Sequence, residues 1–234
     1  MSQAPWQDIL IRVDAAAADA GFDLVQPFRM SAASQAASHF GLARENALGL
    51  LIGNTRRLWP IFTQACRDDR ELAARPAPLD AYVTERLRQI AAEVTPRAVA
   101  VAFAHVTTPR PIPIQYVAEQ AGVAALGPCH LVIHPVHGPW LALRAVMIFD
   151  VDGPDGGPPP LERPCQGCPA PCVTALERAL TLSGSPLTSA GIAAHALDWI
   201  AVRDACPVGR ASRYSDAQLS YHYAPSNDKL IQGS

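Results

Sequence analysis

Apolar residues recur at helical spacing over 6–20, where Ile9, Leu10, Val13, Ala16 and Ala17 share one face, and the pattern stops at Gly21, a residue suited to a C-terminal cap. A short strand follows over 22–28 (FDLVQPF), then a continuous apolar run, NALGLLIG (46–53), bounded by turn residues as a buried strand is. Asn54-Thr55 are placed to cap a helix through Cys66, with Leu58, Ile61 and Phe62 facing inward. A second amphipathic helix covers 78–94, carrying Tyr82, Val83, Leu87, Ile90 and Ala91, and Pro96 ends it. RAVAVAFAHV (97–106) reads as a strand, and 114–126 as a helix closed by Gly127-Pro128. Two buried strands, 130–134 and 140–151, flank a His/Gly/Pro turn. The stretch 152–171 is dense in glycine and proline and predicts an irregular surface loop. Helices are expected over 173–182, 189–205 and 215–223, the last started by Ser215.

Helices around strands with hairpin-length turns predict an α+β fold, a mostly antiparallel sheet flanked by helices. The expectation is a single domain over 1–234 with an irregular Gly/Pro/Cys-rich insertion at about 152–172. A length of 234 residues is enough for a sizeable core, 49% of residues are hydrophobic and only 17% are charged. The net charge of −2 gives no basic footprint, so nucleic acid is excluded as a partner. No apolar run reaches 18 residues and the N-terminus lacks a basic-then-apolar leader, which predicts a cytoplasmic protein with no membrane contact. In that compartment six cysteines read as ligands or free thiols rather than disulfides.

Cys165, Cys168 and Cys172 stand at C-x2-C-x3-C spacing, and Cys206 precedes a proline. Thiolates bind soft or borderline metals, and a short loop lets several sulfurs meet at one centre. These four are candidate ligands of a [4Fe–4S] cluster or a structural zinc ion, against the alternative that the spacing is fortuitous. Cys66 falls on a helix face as a small core residue, and Cys129 has no visible partner. His130, His134 and His137 follow H-x3-H-x2-H spacing; on a strand the first two would share a face as a metal site, but a backbone-shaping HPVHGP turn is the preferred reading.

Arg144 lies inside the apolar strand WLALRAVMIF, where a guanidinium needs an anion or a hydrogen-bonding network. Its planar fork suits a carboxylate or phosphate. Arg203, ending a helix, is the second such candidate, with salt bridges to Asp198 or Asp204 as the alternative. Tyr214, Tyr221, His222 and Tyr223 supply an aromatic cluster fit to pack over a flat cofactor or against the body of the protein.

HLVIHPVHGPWLALRAVMIFD (130–150) resembles the I-H-P-x-x-G-x-W-x-x-I/L-R-x-V segment of the CblC family of cobalamin-processing proteins. Trp199 with VRDA (202–205), then RYSDAQLSYHY (213–223), are similar to the family's W-x-x-x-R-D-A and R-Y-S-x-x-Q-x-x-Y segments. ILIRVDAAAADAGFDLVQPF (9–28) resembles its opening helix and strand. The resemblance covers nearly the whole chain and is weakest at 100–128. It implies a flavin nitroreductase-like fold that binds cobalamin base-off. It further implies reductive decyanation with reduced FMN or FAD, or dealkylation by a glutathione thiolate attacking the cobalt-bound carbon. By the same resemblance Arg144 and Arg203 anchor the thiol cosubstrate, and His134, Trp140 and Tyr214 line the cofactor site. The third anchoring arginine falls near Lys229, which keeps the charge and loses the bidentate fork, weighing against glutathione. A histidine of the family's preceding helix stands here as Glu119 or Gln120, and its aromatic run is replaced by GVAALG (122–127).

CQGCPAPC (165–172) is absent from the family's animal branch and is similar to motifs of epoxyqueuosine reductase, a cobalamin-binding reductase with iron–sulfur clusters; YVAEQAGVAALG (116–127) resembles that enzyme too. The resulting expectation is reductive removal of the upper axial ligand of cobalamin and its delivery onward. Electron donors would be of the flavodoxin, ferredoxin or flavin reductase kind, the recipients B12-dependent enzymes or a delivery protein, and the chain a monomer or homodimer. The alternatives are an iron–sulfur cobalamin-dependent reductase, a non-catalytic cobalamin carrier with structural zinc, and a flavin-only nitroreductase relative.

Overall fold

The structure, a computed structural model, describes residues 4–30, 46–94, 99–109, 111–158 and 160–223. Helix α1 (Pro5–Asp19) starts on a proline, whose missing N–H is one that no helix start can satisfy. It ends at Gly21, whose φ of 89° and close approach to the Leu58 backbone leave no room for a Cβ. Strands β1 (Leu24–Arg29) and β2 (Ala47–Asn54) follow, then helices α2 (Leu58–Asp68), α3 (Arg70–Ala73) and α4 (Pro78–Val94). Next come β3 (Val99–Phe103), α5 (Ile114–Gln120), the two-residue strands β4 (Ala125–Leu126) and β5 (Val132–Ile133), and β6 (Ala142–Asp152). Helices α6 (Pro171–Ser183), α7 (Ser189–Ala194) and α8 (Ala196–Asp204), a 3-10 turn at Arg210–Ser212 and α9 (Asp216–Tyr223) complete the order.

The main sheet runs β1-β2-β6-β3 with every neighbouring pair antiparallel. Its central strands, β2 and β6, are covered on both faces, so their sequences are near-continuous apolar runs rather than alternating ones. Leu48, Leu50, Ile52, Met147 and Phe149 pack against Val13, Phe62, Val83 and Leu87 of α1, α2 and α4. Leu51, Val146 and Ile148 meet Val117, Ala118 and Ala121 of α5 on the opposite face. A smaller core gathers Cys129, Ile133, Cys172, Ala179, Val202 and Cys206 between α6 and α8. This is the antiparallel sheet flanked by helices that the apolar pattern predicts. Among the described residues, no helix is long and apolar enough to cross a membrane.

Four local expectations are corrected. Asn54 and Thr55 do not cap α2, because Asn54 completes β2 and Thr55 donates both its N–H and its hydroxyl to Asp23 (2.7 and 2.6 Å). The helix expected to 126 ends at Gln120; Gly122, at φ 72°, turns the chain so that Ala125–Leu126 pairs with Val132–Ile133. The segments 130–134 and 140–151 are therefore not hairpin partners: only a His134–Gly138 bridge closes the turn between them, and β5 belongs to the small ribbon. The helix expected over 189–205 breaks at His195, whose φ and ψ of −118° and 34° are not helical. In each case an apolar run told where the chain is buried but not which partner buries it. Residues 97–98 of the third expected strand lie outside the described residues.

Candidate functional site

A slip in the β2–β6 register builds the core of the site. Ile52 stands opposite Ala145 but Gly53 opposite Leu143, which leaves Arg144 as the extra residue of a bulge. A bulge breaks the in–out alternation and re-aims a side chain. Arg144 turns toward the helical side, where its Nε–H donates to Asn54 Oδ1 at 2.6 Å. Asn54 is fully buried and donates its own amide to the Thr55 carbonyl (2.7 Å). Burial lowers the basicity of Arg144 from the ordinary arginine value, and Tyr214, Asp80 and Tyr221 partly offset this. Among the described residues no carboxylate forms an ion pair with Arg144.

Arg203 reaches the same place from the last turn of α8. It donates to the Tyr223 hydroxyl (3.2 Å) and to the Pro139 carbonyl, and its guanidinium lies 5.8 Å from the Trp140 ring centre. The acids that offered the alternative pairing are engaged elsewhere: Asp198 with Arg178 and Asp204 with Arg213. Arg213 also holds Asp216 and thereby ties the end of α8 to the start of α9 on either side of Tyr214. Trp140, 1% exposed, packs edge-on against Tyr214 at 5.5 Å. The buried Tyr214 hydroxyl has no hydrogen-bond partner among the described residues. Burial raises its pKa, while Arg203 and Arg144 pull it back, so both cations stand near the phenol.

His222 rings this cluster, 5.8 Å from Tyr214 and 6.5 Å from Trp59. It is crowded by protein yet keeps an exposed face, and desolvation together with Arg144 and Arg203 lowers its pKa to about 3. At neutral pH it is an uncharged hydrogen-bonding group beside two fixed cations. Arg144, Arg203, Trp140 and Tyr214 are thus brought together. Lys229 lies outside the described residues.

The HPVHGP turn is the bracket between this cluster and the rest. The N–H groups of Val136 and His137 both donate to His134 Nδ1 (3.0 and 3.2 Å), so the proton of the neutral ring sits on Nε2. Burial and the adjacent His137 lower the His134 pKa to about 4. His137 Nδ1 shares a hydrogen bond with Ser212 Oγ at 2.8 Å. Gly138 and Gly209 let the two backbones touch: a Cβ on Gly138 would sit 2.1 Å from the Val208 carbonyl oxygen. The three histidines do not form a metal triad, because His130 is exposed at φ 61° in a turn rather than on a strand with His134. The backbone-shaping turn, the preferred reading of HPVHGP, is what the structure forms, and the alternative of a strand with His130 and His134 on one face is not.

His134 instead lines a hollow of about 350 Å³ with Asp23, Gln26, Gly53, Val123 and Leu143. A second hollow of about 350 Å³, bounded by Phe28, Met30, Tyr116 and Val117, adjoins it and shares Gln26. Each falls in the size range of small-molecule sites. Leu143 thus faces the hollow while its neighbour Arg144 faces the cationic cluster.

The cysteine set assembles as a group. Cys165, Cys168, Cys172 and Cys206 line one narrow pocket, floored by Ile133 and Val208. Cys129 shares a small core with Cys172 and Cys206, and Cys165 packs against it. Burial raises the thiol pKa of Cys165, Cys206 and Cys172, the last to about 12, and Cys129 adds to the rise at each. Among the described residues no three histidine, cysteine or acidic side chains are arranged to hold a single metal ion. The narrow pocket lacks room for a preformed cluster. Cys66 is buried in the main core, away from this group, as its helix position predicts.

The sequence places Asn54 at a helix cap rather than beside Arg144, puts His222 in the aromatic cluster without a role of its own, and shows no partner for Cys129; a buried asparagine ending an otherwise apolar strand is the available signal for the first.

No protein-family model matches the sequence, and no curated protein matches it. Among solved structures, the chain is similar to the crystal structure of the C. elegans B12-trafficking protein CblC, a homologue of human MMACHC. The match covers 97% of this chain and 95% of that one at a TM-score of 0.68 and 20% sequence identity. At that identity it establishes a shared fold along essentially the whole chain.

Proposed function

We propose that this chain binds cobalamin as its substrate and removes the upper axial ligand, by reductive decyanation or by dealkylation with an anionic thiol. The observation that carries this reading is that Arg144 and Arg203 both lie close enough to act on the buried Tyr214, whose hydroxyl has no hydrogen-bond partner among the described residues, in a chain folded like a B12-trafficking protein. Two guanidinium groups without carboxylate partners among the described residues suit the carboxylates of a thiol such as glutathione. Lys229 supplies a third cation in this reading. Fixed cations also favour the thiolate over the thiol, which is the nucleophile. The thiolate attacks the alkyl carbon, a thioether forms, and the electron pair of the cobalt–carbon bond stays on cobalt.

The hollow beside His134 accepts part of the corrin, with the His134 Nε2–H as donor. Because its Nδ1 accepts two backbone N–H groups, His134 does not present a lone pair at Nε2, so it orients the substrate rather than ligating cobalt. Flavin, when bound, supplies the electrons for decyanation. The chain works in the cytoplasm in this reading.

Cyanocobalamin mixed with the full chain should shift to the base-off absorption spectrum and release cyanide when reduced flavin is added. Tyr214→Phe should fold as well as the wild type, since its hydroxyl satisfies no group among the described residues, yet turn over more slowly. A spectrum that never leaves base-on at micromolar protein overturns the reading; a base-off shift without cyanide release or dealkylation leaves a carrier.

A second reading is favoured by the cysteines. In it Cys165, Cys168, Cys172 and Cys206 would hold a soft-metal centre able to supply electrons, as the resemblance to epoxyqueuosine reductase implies. A single structural zinc ion is the weaker form of this reading, because among the described residues no three ligands converge on one point.

A further inference from the structure

We propose that Gln218 sets the specificity of the thiol site: its side-chain carbonyl accepts an N–H of the co-substrate, so the site takes a peptide thiol in preference to an anionic thiol without N–H groups. The inference rests on the dealkylation reading above and narrows the class of thiol which that reading admits.

Ser215-Asp216-Ala217-Gln218 has the Ser-x-x-Gln form of a capping box, in which a glutamine at the third helical position turns back to accept the N–H of the cap residue. Half of the box is present, the Gln218 N–H donating to Ser215 Oγ at 3.2 Å. The return bond is not made. Gln218 is 2% exposed, and its Oε1 has no hydrogen-bond partner among the described residues. A buried amide oxygen left unpaired is rare in a folded protein and calls for a partner.

Residues three and four apart share a helical face, which places Gln218 with Tyr221 and His222, one turn beyond Tyr214. Tyr221 fixes the direction of that face. Its hydroxyl accepts the Leu79 N–H (3.3 Å), and its ring packs 5.3 Å from Trp59 and 5.8 Å from Phe62. The charge of Arg144 is felt at Tyr214, Tyr221 and His222 alike, so the face that carries Gln218 borders the guanidinium. The Tyr214 hydroxyl is likewise buried without a partner among the described residues. The two guanidinium groups can only donate and the phenol can donate, whereas the Gln218 carbonyl can only accept. A simple carboxylate thiol satisfies the donors and leaves Oε1 unpaired. A peptide thiol carries N–H groups beside its carboxylates and satisfies both. A site that hydrogen-bonds an N–H discriminates against an analogue lacking it, because a buried polar group then stays unpaired.

The test compares glutathione with 3-mercaptopropionate, an anionic thiol without N–H groups, in the demethylation of methylcobalamin by the full chain. Gln218→Met, apolar and of similar length, should melt no lower than wild type, because the oxygen it removes has no partner among the described residues. It should lower kcat/KM for glutathione about tenfold more than for 3-mercaptopropionate, mainly through KM. Gln218→Glu keeps the acceptor and adds a negative charge, so it should weaken both thiols while keeping the wild-type ratio between them. A Gln218→Met ratio equal to that of wild type overturns the proposal. So does a clear fall in its melting temperature, which would assign the side chain a structural bond. Wild type that uses neither thiol overturns the dealkylation reading and this inference with it, and the base-off shift of cyanocobalamin, measured on the same sample, reports separately on cobalamin binding.

Discussion

Replacing Arg144 with leucine separates what this residue does for the fold from what it does for a ligand. In the folded protein its Nε–H satisfies the Oδ1 of Asn54, an atom with no access to water. Arg144→Leu orphans that oxygen, at a cost of about 1–3 kcal/mol. Part of this is returned, because a desolvated guanidinium is no longer held away from water. The net expectation is a loss of about 1 kcal/mol, which for a chain of this size lowers Tm by roughly 2–4 °C. Asn54→Leu/Arg144→Leu leaves no orphaned Oδ1 and should cost less than the two single variants added together, the remaining loss coming from the Thr55 carbonyl, which no longer receives the Asn54 amide. The effect on ligand should be larger. Losing one charge-assisted contact to a carboxylate, about 1.5–3 kcal/mol, weakens binding of an anionic thiol roughly 10- to 150-fold. Calorimetric titration of glutathione onto the cobalamin-loaded variant, beside a thermal melt, measures both quantities. A folded Arg144→Leu that binds the thiol as tightly as wild type refutes the anion-holding role. A single variant no less stable than wild type refutes the role of Arg144 in satisfying Asn54.

Gly138→Ala should cost at least about 3 kcal/mol in urea unfolding, from overpacking combined with a strained backbone, since its Cβ would lie 2.1 Å from the Val208 carbonyl oxygen at φ 55°. Gly156→Ala, at φ 92° with open space around it, isolates the conformational part and should cost about 1 kcal/mol; equal losses would refute the backbone-to-backbone contact. The His134 pKa is lowered to about 4 in the folded state against 6.5 for the free side chain. Between pH 6.5 and 4 the unfolded chain therefore binds the extra proton and the folded one does not. Stability falls as pH drops through that window, by at most about 1.4 kcal/mol per unit and by less for a half-exposed ring. His134→Gln should flatten that part of the stability profile, and an unchanged slope would show that other groups produce it.

How far the site was legible depended on whether a residue's role is local. Arg144 could be singled out because a cation in an apolar strand must find a partner wherever the strand goes. Which partner it finds depends on Asn54, ninety positions away, and on a one-residue slip between β2 and β6 that no periodicity records. The HPVHGP turn was readable from its glycine and prolines, while its docking on Val208–Gly209 was not, since that contact involves backbone alone. The break at His195 and the early end of α5 escaped for a related reason: short apolar segments suit a helix or a strand equally until a neighbour decides.

By itself the sequence determined the class of fold, because burial on two faces demands continuous apolar runs and burial on one face demands helical periodicity. It also marked Arg144 and the C-x2-C-x3-C thiols as side chains out of place in an ordinary core. Tertiary structure alone decided how these groups combine. It set Arg203 and Tyr214 around Arg144, left His134 on a separate hollow, and brought Cys129 to the loop cysteines. The physical reason is that side-chain chemistry is a local property of the chain, whereas proximity between distant segments is settled by strand register, bulges and close backbone contacts.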